Sequence, residues 1–76
     1  MTNPIIEQLR KELPPVWART QTDSLTGNAW RGRTIANLMS RGEFPKEAYT
    51  YSGRKCILVR DPFLNWAEQE MAKANQ

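Results

Sequence analysis

Arg31, Arg33, Asn37 and Arg41 fall within one stretch of this chain, GNAWRGRTIANLMSRGEFP, residues 27–45. A guanidinium is a planar fork of donors that pairs two-fold with phosphate oxygens or with the O6 and N7 edge of guanine, and a carboxamide pairs in the same way with adenine. Thr34 and Ser40 add hydroxyls to the same stretch. The chain has no histidine to act as a base beside them. The chemistry on offer is therefore recognition of anions and base edges, not proton transfer or nucleophilic attack. The competing reading is a solvated face, since long cations belong on the outside of any fold.

The spacing of these residues predicts a helix over 31–41. Trp30, Ile35, Leu38 and Met39 fall on one side of it, Arg31, Arg33, Asn37 and Arg41 fall elsewhere, and Thr34 sits at the boundary. Gly42 ends the helix and Pro45 stops it from resuming. Cations at a helix start oppose the macrodipole, so their presence there calls for a partner outside the helix. A short helix with arginines at its start can enter the major groove of DNA N-terminal end first. Its side chains then reach base edges, while nearby cations hold phosphates.

Composition sets the limits. A chain of 76 residues is one domain, 1–76, with a small core. Its 39% hydrophobic and 25% charged content is that of an ordinary folded globule. The single cysteine, Cys56, can form no internal disulfide, and without histidine there is no metal-ligand cluster and no Ser-His or Cys-His pair. The eight carboxylates are scattered. These features predict a protein that is not an enzyme and uses no metal and no cofactor. No apolar run approaches the length of a membrane span, and no signal-peptide core opens the chain, which predicts a cytoplasmic protein with no membrane partner.

The net charge of +3 is unevenly spread. Charges cancel over residues 1–30. Over 31–60, Arg31, Arg33, Arg41, Lys46, Arg54, Lys55 and Arg60 face only Glu43 and Glu47, which leaves +5, and residues 61–76 carry −2. Segregated positive charge is the electrostatic footprint of a protein that meets a polyanion.

Other elements must position the basic helix. Asn3 as N-cap and Pro4 at the first helical position open a helix over 1–13, with Ile5, Ile6, Leu9 and Leu13 at helical spacing and Pro14-Pro15 as its stop. This stripe is either a lid on the core or a small self-association surface. Val16 and Trp17 start an apolar cluster. Residues 20–25 form a short helix ended by Gly27. AYTYSGRKCILVR reads as a β-hairpin, with Tyr49 and Tyr51 on one arm, Cys56 to Val59 on the other, and SGRK as the turn. Asp61 caps a last helix with Pro62 at its first position and Phe63, Leu64, Trp66, Ala67 and Met71 on its apolar side. Two helices joined by a tight turn make a helix-turn-helix, and a basic hairpin after the second makes it a winged one. The fold class expected is α+β, a small winged helix-turn-helix: N-terminal helix, helix-turn-helix, two-stranded wing, C-terminal helix.

Residues 16–70 resemble a family on this ordered set: Arg33-Thr34-Ile35, the helix-ending Gly42, Phe44-Pro45, the Gly53-Arg54 turn, the acidic Asp61 and the aromatic Trp66. The set is similar to the excisionases and AlpA-like prophage regulators of phages and integrated elements, relatives of the MerR-type DNA-binding domain. TQTDSLTG is shorter and more polar than the family's usual first helix, Gly32 stands where a polar or basic residue is common, and the N-terminal helix has no counterpart there.

The resemblance implies double-stranded DNA as partner, with the recognition helix in the major groove and the wing in the minor groove. Arg31, Arg33, Thr34, Asn37, Ser40 and Arg41 would serve the helix, with Ser40 and Arg41 nearer the phosphate backbone, and Ser52, Arg54 and Lys55 would serve the wing. It implies an excisionase, an architectural factor that bends attachment-site DNA and favours excision, with a tyrosine integrase as partner and with self-association on DNA. An AlpA-type transcriptional regulator is the alternative on the same face, and a protein-interaction module that binds an acidic partner is the alternative from another class. For Arg54 and Lys55, a charged turn that protects a hairpin edge competes with DNA contact. Cys56 reads as a small core residue of the wing and not a redox site. Trp17, Trp30 and Trp66 read as core. Ile57 and Val59 either pack under the N-terminal helix or meet a neighbouring copy.

Overall fold

The computed structural model describes residues 4–74; Asn3, the expected first N-cap, lies outside them. The architecture is α+β, with α1 over Pro4–Glu12, β1 over Val16–Ala18, a 3-10 turn over Arg19–Gln21, α2 over Thr22–Leu25, α3 over Gly32–Ser40, a second 3-10 turn over Lys46–Ala48, β2 over Tyr49–Ser52, β3 over Lys55–Val59 and α4 over Arg60–Ala74. The hairpin forms where Gly53, at φ 64°, and Arg54 turn the chain between β2 and β3.

The expected two-stranded sheet has a third member. β1 pairs antiparallel with β3, giving the order β1-β3-β2. A three-residue strand carries too little alternation to be read from sequence, and Pro14-Pro15 before it hides the extended run. Trp17, Leu58 and Tyr49 line up across the three strands on the face turned to the core. Ala18 and Val16 flank Ile57 and Val59 on the other face, where both β3 residues are half-buried beside β1.

The core is built around Phe63, which is fully buried. Its ring stands edge-on to Trp17 at 5.4 Å and to Trp30 at 5.8 Å, and it meets Trp66 at 5.8 Å and Phe44 at 6.4 Å. Edge-to-face pairs at such separations each add about 0.5–1.5 kcal/mol beyond the area they bury. Ile6 and Leu13 of the α1 region, Ile35 of α3 and Leu64 and Ala67 of α4 complete this cluster, so α1 is a lid on it.

The helix ends are set by backbone chemistry. After α2, Gly27 and Asn28 both adopt positive φ, and their N–H groups return to the carbonyls of Ser24 and Asp23. After α3, Gly42 at φ 70° donates to Met39 and Glu43 donates to Leu38. This is the paired bonding of a Schellman cap in both places. Between the two helices the buried Thr26 hydroxyl donates to the Thr22 carbonyl at 2.7 Å and accepts the Trp30 N–H at 3.2 Å.

Two expectations about helix starts are corrected. α3 begins at Gly32, not Arg31, because Arg31 keeps an extended backbone, φ −101° and ψ 137°, and serves as N-cap residue without a side-chain bond. α4 begins at Arg60, so Pro62 is its third residue and Asp61 lies inside the first turn. Asp61 is not the N-cap; its carboxylate pairs with Arg60 at 3.0 Å and with Arg10 of α1 at 3.4 Å. Arg60 also donates its backbone N–H to the Pro15 carbonyl at 2.9 Å, which ties α4 to the end of the α1 segment.

The Trp17 indole N–H donates to the Thr22 hydroxyl at 2.9 Å, and Thr22 is fully buried. Thr22→Val keeps the shape and removes the acceptor. It should cost about 1–3 kcal/mol in urea unfolding, the penalty of a buried donor left unpaired. An unchanged midpoint would mean that the indole finds another acceptor.

Candidate nucleic-acid interface

The sequence of α3 sorts its residues around the axis at about 100° each. Ile35 is buried, with Leu38 and Met39 half-buried beside it. Arg33, Asn37 and Ser40 lie on the opposite side and are exposed, as are Arg31 at the cap, Thr34 and Arg41. All six helix residues singled out from the sequence are thus on the surface of one short element. Ser52, Arg54 and Lys55 are exposed at the far end of the hairpin.

The start of α3 is held from a distance. Arg31 has no side-chain acceptor with which to cap the helix, so the cap is supplied by Asp23, whose Oδ1 accepts the Gly32 N–H at 2.7 Å. Arg19 Nη1 donates to the Gly32 carbonyl at 2.9 Å. Gly32 is buried against the Arg19 backbone, where a Cβ would lie 2.5 Å from the Arg19 carbonyl oxygen. The absence of a side chain at 32 is therefore a packing requirement.

Between α3 and the hairpin runs an open groove of about 600 Å³. Ala36, Met39 and Ser40 form its helix wall; Tyr49, Tyr51 and Cys56 form its hairpin wall; Ala18, Arg19, Thr20, Arg54 and Lys55 complete its rim, and no carboxylate among the described residues lines it. Ser40, Arg54 and Lys55 were named from the sequence and meet here. Arg31, Arg33, Thr34 and Asn37 do not line it; Asn37, Ser40 and Arg41 border a separate shallow depression. Tyr51 is 60% exposed and stands edge-on to Tyr49 at 5.9 Å. Sequence reasoning gave Arg19, Thr20 and the two tyrosines no place in a site. Arg19 and Thr20 follow a strand that was itself not read, and the tyrosines read only as hairpin residues.

The cations divide by partner. Arg41 pairs with Glu43 at 3.2 Å, Lys73 with Glu70 at 3.5 Å, and Arg10 and Arg60 share Asp61. Among the described residues the other seven cations form no ion pair: Lys11 on α1, Arg19 after β1, Lys46 in the second 3-10 turn, Arg31 and Arg33 at the start of α3, and Arg54 and Lys55 at the hairpin turn. Coulomb repulsion between exposed like charges is weak in water, so such a set is tolerated when free and available to an anion when bound.

No helix among the described residues is long and apolar enough to cross a membrane. No family model matches the chain, and neither a curated protein nor a solved structure matches it.

Cys56 is half-buried and packs against the core. Burial pushes its thiol pKa up from the ordinary value, while the Arg19 guanidinium, by its charge and a hydrogen bond, pulls the other way and does not prevail. A raised pKa leaves less thiolate at a given pH, and thiolate is the reactive form. Alkylation of Cys56 in the folded protein should therefore be slower at neutral pH than in the urea-unfolded chain. The gap should narrow as pH rises past the ordinary thiol range. Equal rates at neutral pH would contradict the buried setting.

Proposed function

We propose that this chain is a double-stranded DNA-binding protein of the winged helix-turn-helix kind, with α2 and α3 as the helix-turn-helix and the β2–β3 hairpin as the wing. The observation that carries this reading is the charge sorting. Of the seven described cations without an ion pair, Arg31 and Arg33 sit at the start of α3 and Arg54 and Lys55 at or beside the hairpin turn, and a groove lined by no carboxylate among the described residues joins the two elements. Arg31 and Arg33 suit base edges or phosphates of the major groove, with Asn37 one turn on, and Arg54 and Lys55 suit the minor groove and its phosphates. The resemblance of residues 16–70 to excisionases and AlpA-like regulators supports the narrower reading, an architectural accessory factor that acts with an integrase in the cytoplasm and performs no chemistry itself.

Duplex binding is tested first. Arg31→Ala and Arg33→Ala should each weaken binding to a preferred site by about 1–3 kcal/mol and relax its sequence preference. The slope of log K against log salt should be about −4 for the wild type, at roughly 0.9 per neutralised phosphate for Arg31, Arg33, Arg54 and Lys55. A slope near zero would replace DNA by a protein partner, and unchanged affinity in both variants would remove α3 from the major groove.

Excision makes a further demand. Bending a site costs several kcal/mol, and a single module of this size makes a small interface. Several copies bound side by side on directly repeated half-sites offset that cost. Gel shifts should show a ladder in which later complexes dominate early, and circular-permutation mobility should show a bend. Independent binding to one site without a bend would favour the AlpA-type regulator.

A further inference from the structure

Arg19 occupies the joint between the two elements assigned to DNA. It directly follows β1, whose Ala18 pairs with Ile57 of β3, so its backbone is anchored to the central strand of the sheet that carries the hairpin. Its guanidinium reaches across to the Gly32 carbonyl at 2.9 Å, at the first residue of α3. The missing Cβ of Gly32 lets the two backbones touch, and Asp23 holds the Gly32 N–H at 2.7 Å. Residues 19–23 thus hold both backbone polar groups of the residue from which α3 starts.

A guanidinium presents five donors in one rigid plane and can bridge acceptors on two elements, whereas an ammonium is a point charge on a flexible stem. The major and minor grooves of B-form DNA are about 12 Å and 6 Å wide and follow one another along the duplex. A helix and a hairpin that enter neighbouring grooves must therefore keep a fixed angle, or lose affinity to the ordering of a loose joint. We propose that Arg19 is a positioning residue: it fixes the angle between α3 and the β2–β3 hairpin and does not itself contact DNA. This rests on the DNA-binding reading for its consequence, but not for its geometry.

The test compares Arg19→Lys and Arg19→Ala with the wild type. It uses duplex binding over a range of salt, thermal unfolding, and residual dipolar couplings of the free protein that report the orientation of α3 relative to the hairpin. Both variants should lose roughly five- to tenfold in affinity, the worth of one hydrogen bond, with the salt slope unchanged and the orientation altered. A phosphate contact behaves otherwise: Arg19→Lys stays near wild type, and the slope of Arg19→Ala becomes shallower by about 0.9. That result overturns the proposal. A lowered Tm with affinity and orientation unchanged also overturns it, since Arg19 would then only stabilise. Gly32→Ala pushes on the same contact from the other side, so Arg19→Lys combined with it should lose no more than the worse single variant, and additive losses would sink the idea. If the wild type binds no duplex, the DNA reading fails. The couplings still decide the positioning role of Arg19: an unchanged orientation in either Arg19 variant overturns it, and an altered one supports it.

Discussion

The contact between the Phe63 ring and its aromatic neighbours is the one on which the rest of this small domain depends. Trp17 comes from β1, Trp30 from the turn before α3, Phe44 from the segment after it and Trp66 from α4 itself. α3 is therefore suspended at both ends, by Trp30 and Phe44, over a single ring. Its own fully buried side chain is Ile35, with Leu38 and Met39 half-covered. A helix held by its flanks can spend most of its circumference on solvent, which leaves Arg33, Asn37 and Ser40 free for a partner. In a chain of 76 residues, with little apolar area to distribute, this concentration of contacts on one ring is what permits an exposed helix at all.

Electrostatics divides along the same line. The exposed ion pairs of Arg41, Lys73 and Arg10 contribute little stability each, since exposed pairs are worth about 0–1 kcal/mol. Their effect is local: each places a carboxylate beside a cation and lowers the positive field there. Arg60 goes further, bonded to the Leu13 carbonyl and to Asp61, so one of the seven cations of the basic middle segment belongs to the scaffold. Charge counted along the chain overstates the charge presented on the face, and the difference lies in these pairings.

The helices α1, α3 and α4 and the hairpin were legible because each carries a period or a stop signal within its own residues: Ile6 and Leu13, Ile35 and Leu38, Phe63 and Ala67, Gly53 between two β-branched and aromatic runs. What could not be read depends on residues far apart. β1 exists because Val59 and Ile57 pair with it, and nothing within Val16–Ala18 announces this. Asp61 looked like a cap because capping residues and ion-pair residues are the same types, and only the approach of Arg10 from α1 separates the roles. The cap of α3 is Asp23, displaced by a loop, so a search for a capping residue next to the helix meets Arg31 instead. That Arg31, Arg33, Asn37, Ser40, Arg54 and Lys55 lie exposed follows from their types and from the helical and hairpin periods. The groove beside them was not legible, because its Tyr51 and Arg19 face it only once the sheet has formed.

The pairing of β1 with β3 has a kinetic meaning. The two strands lie on either side of α2, α3 and β2, so the sheet cannot close until that intervening chain has been brought into a ring. Closing such a ring costs entropy before any contact repays it, and non-local pairings of this sort slow folding relative to helical bundles. The hairpin ladder and the C-terminal caps of α2 and α3 are local by contrast, made between residues close in the chain. Trp17 beside Leu58 is the clasp that closes this ring, and Arg19, which directly follows β1, reaches the rim of the basic groove only where the clasp is shut.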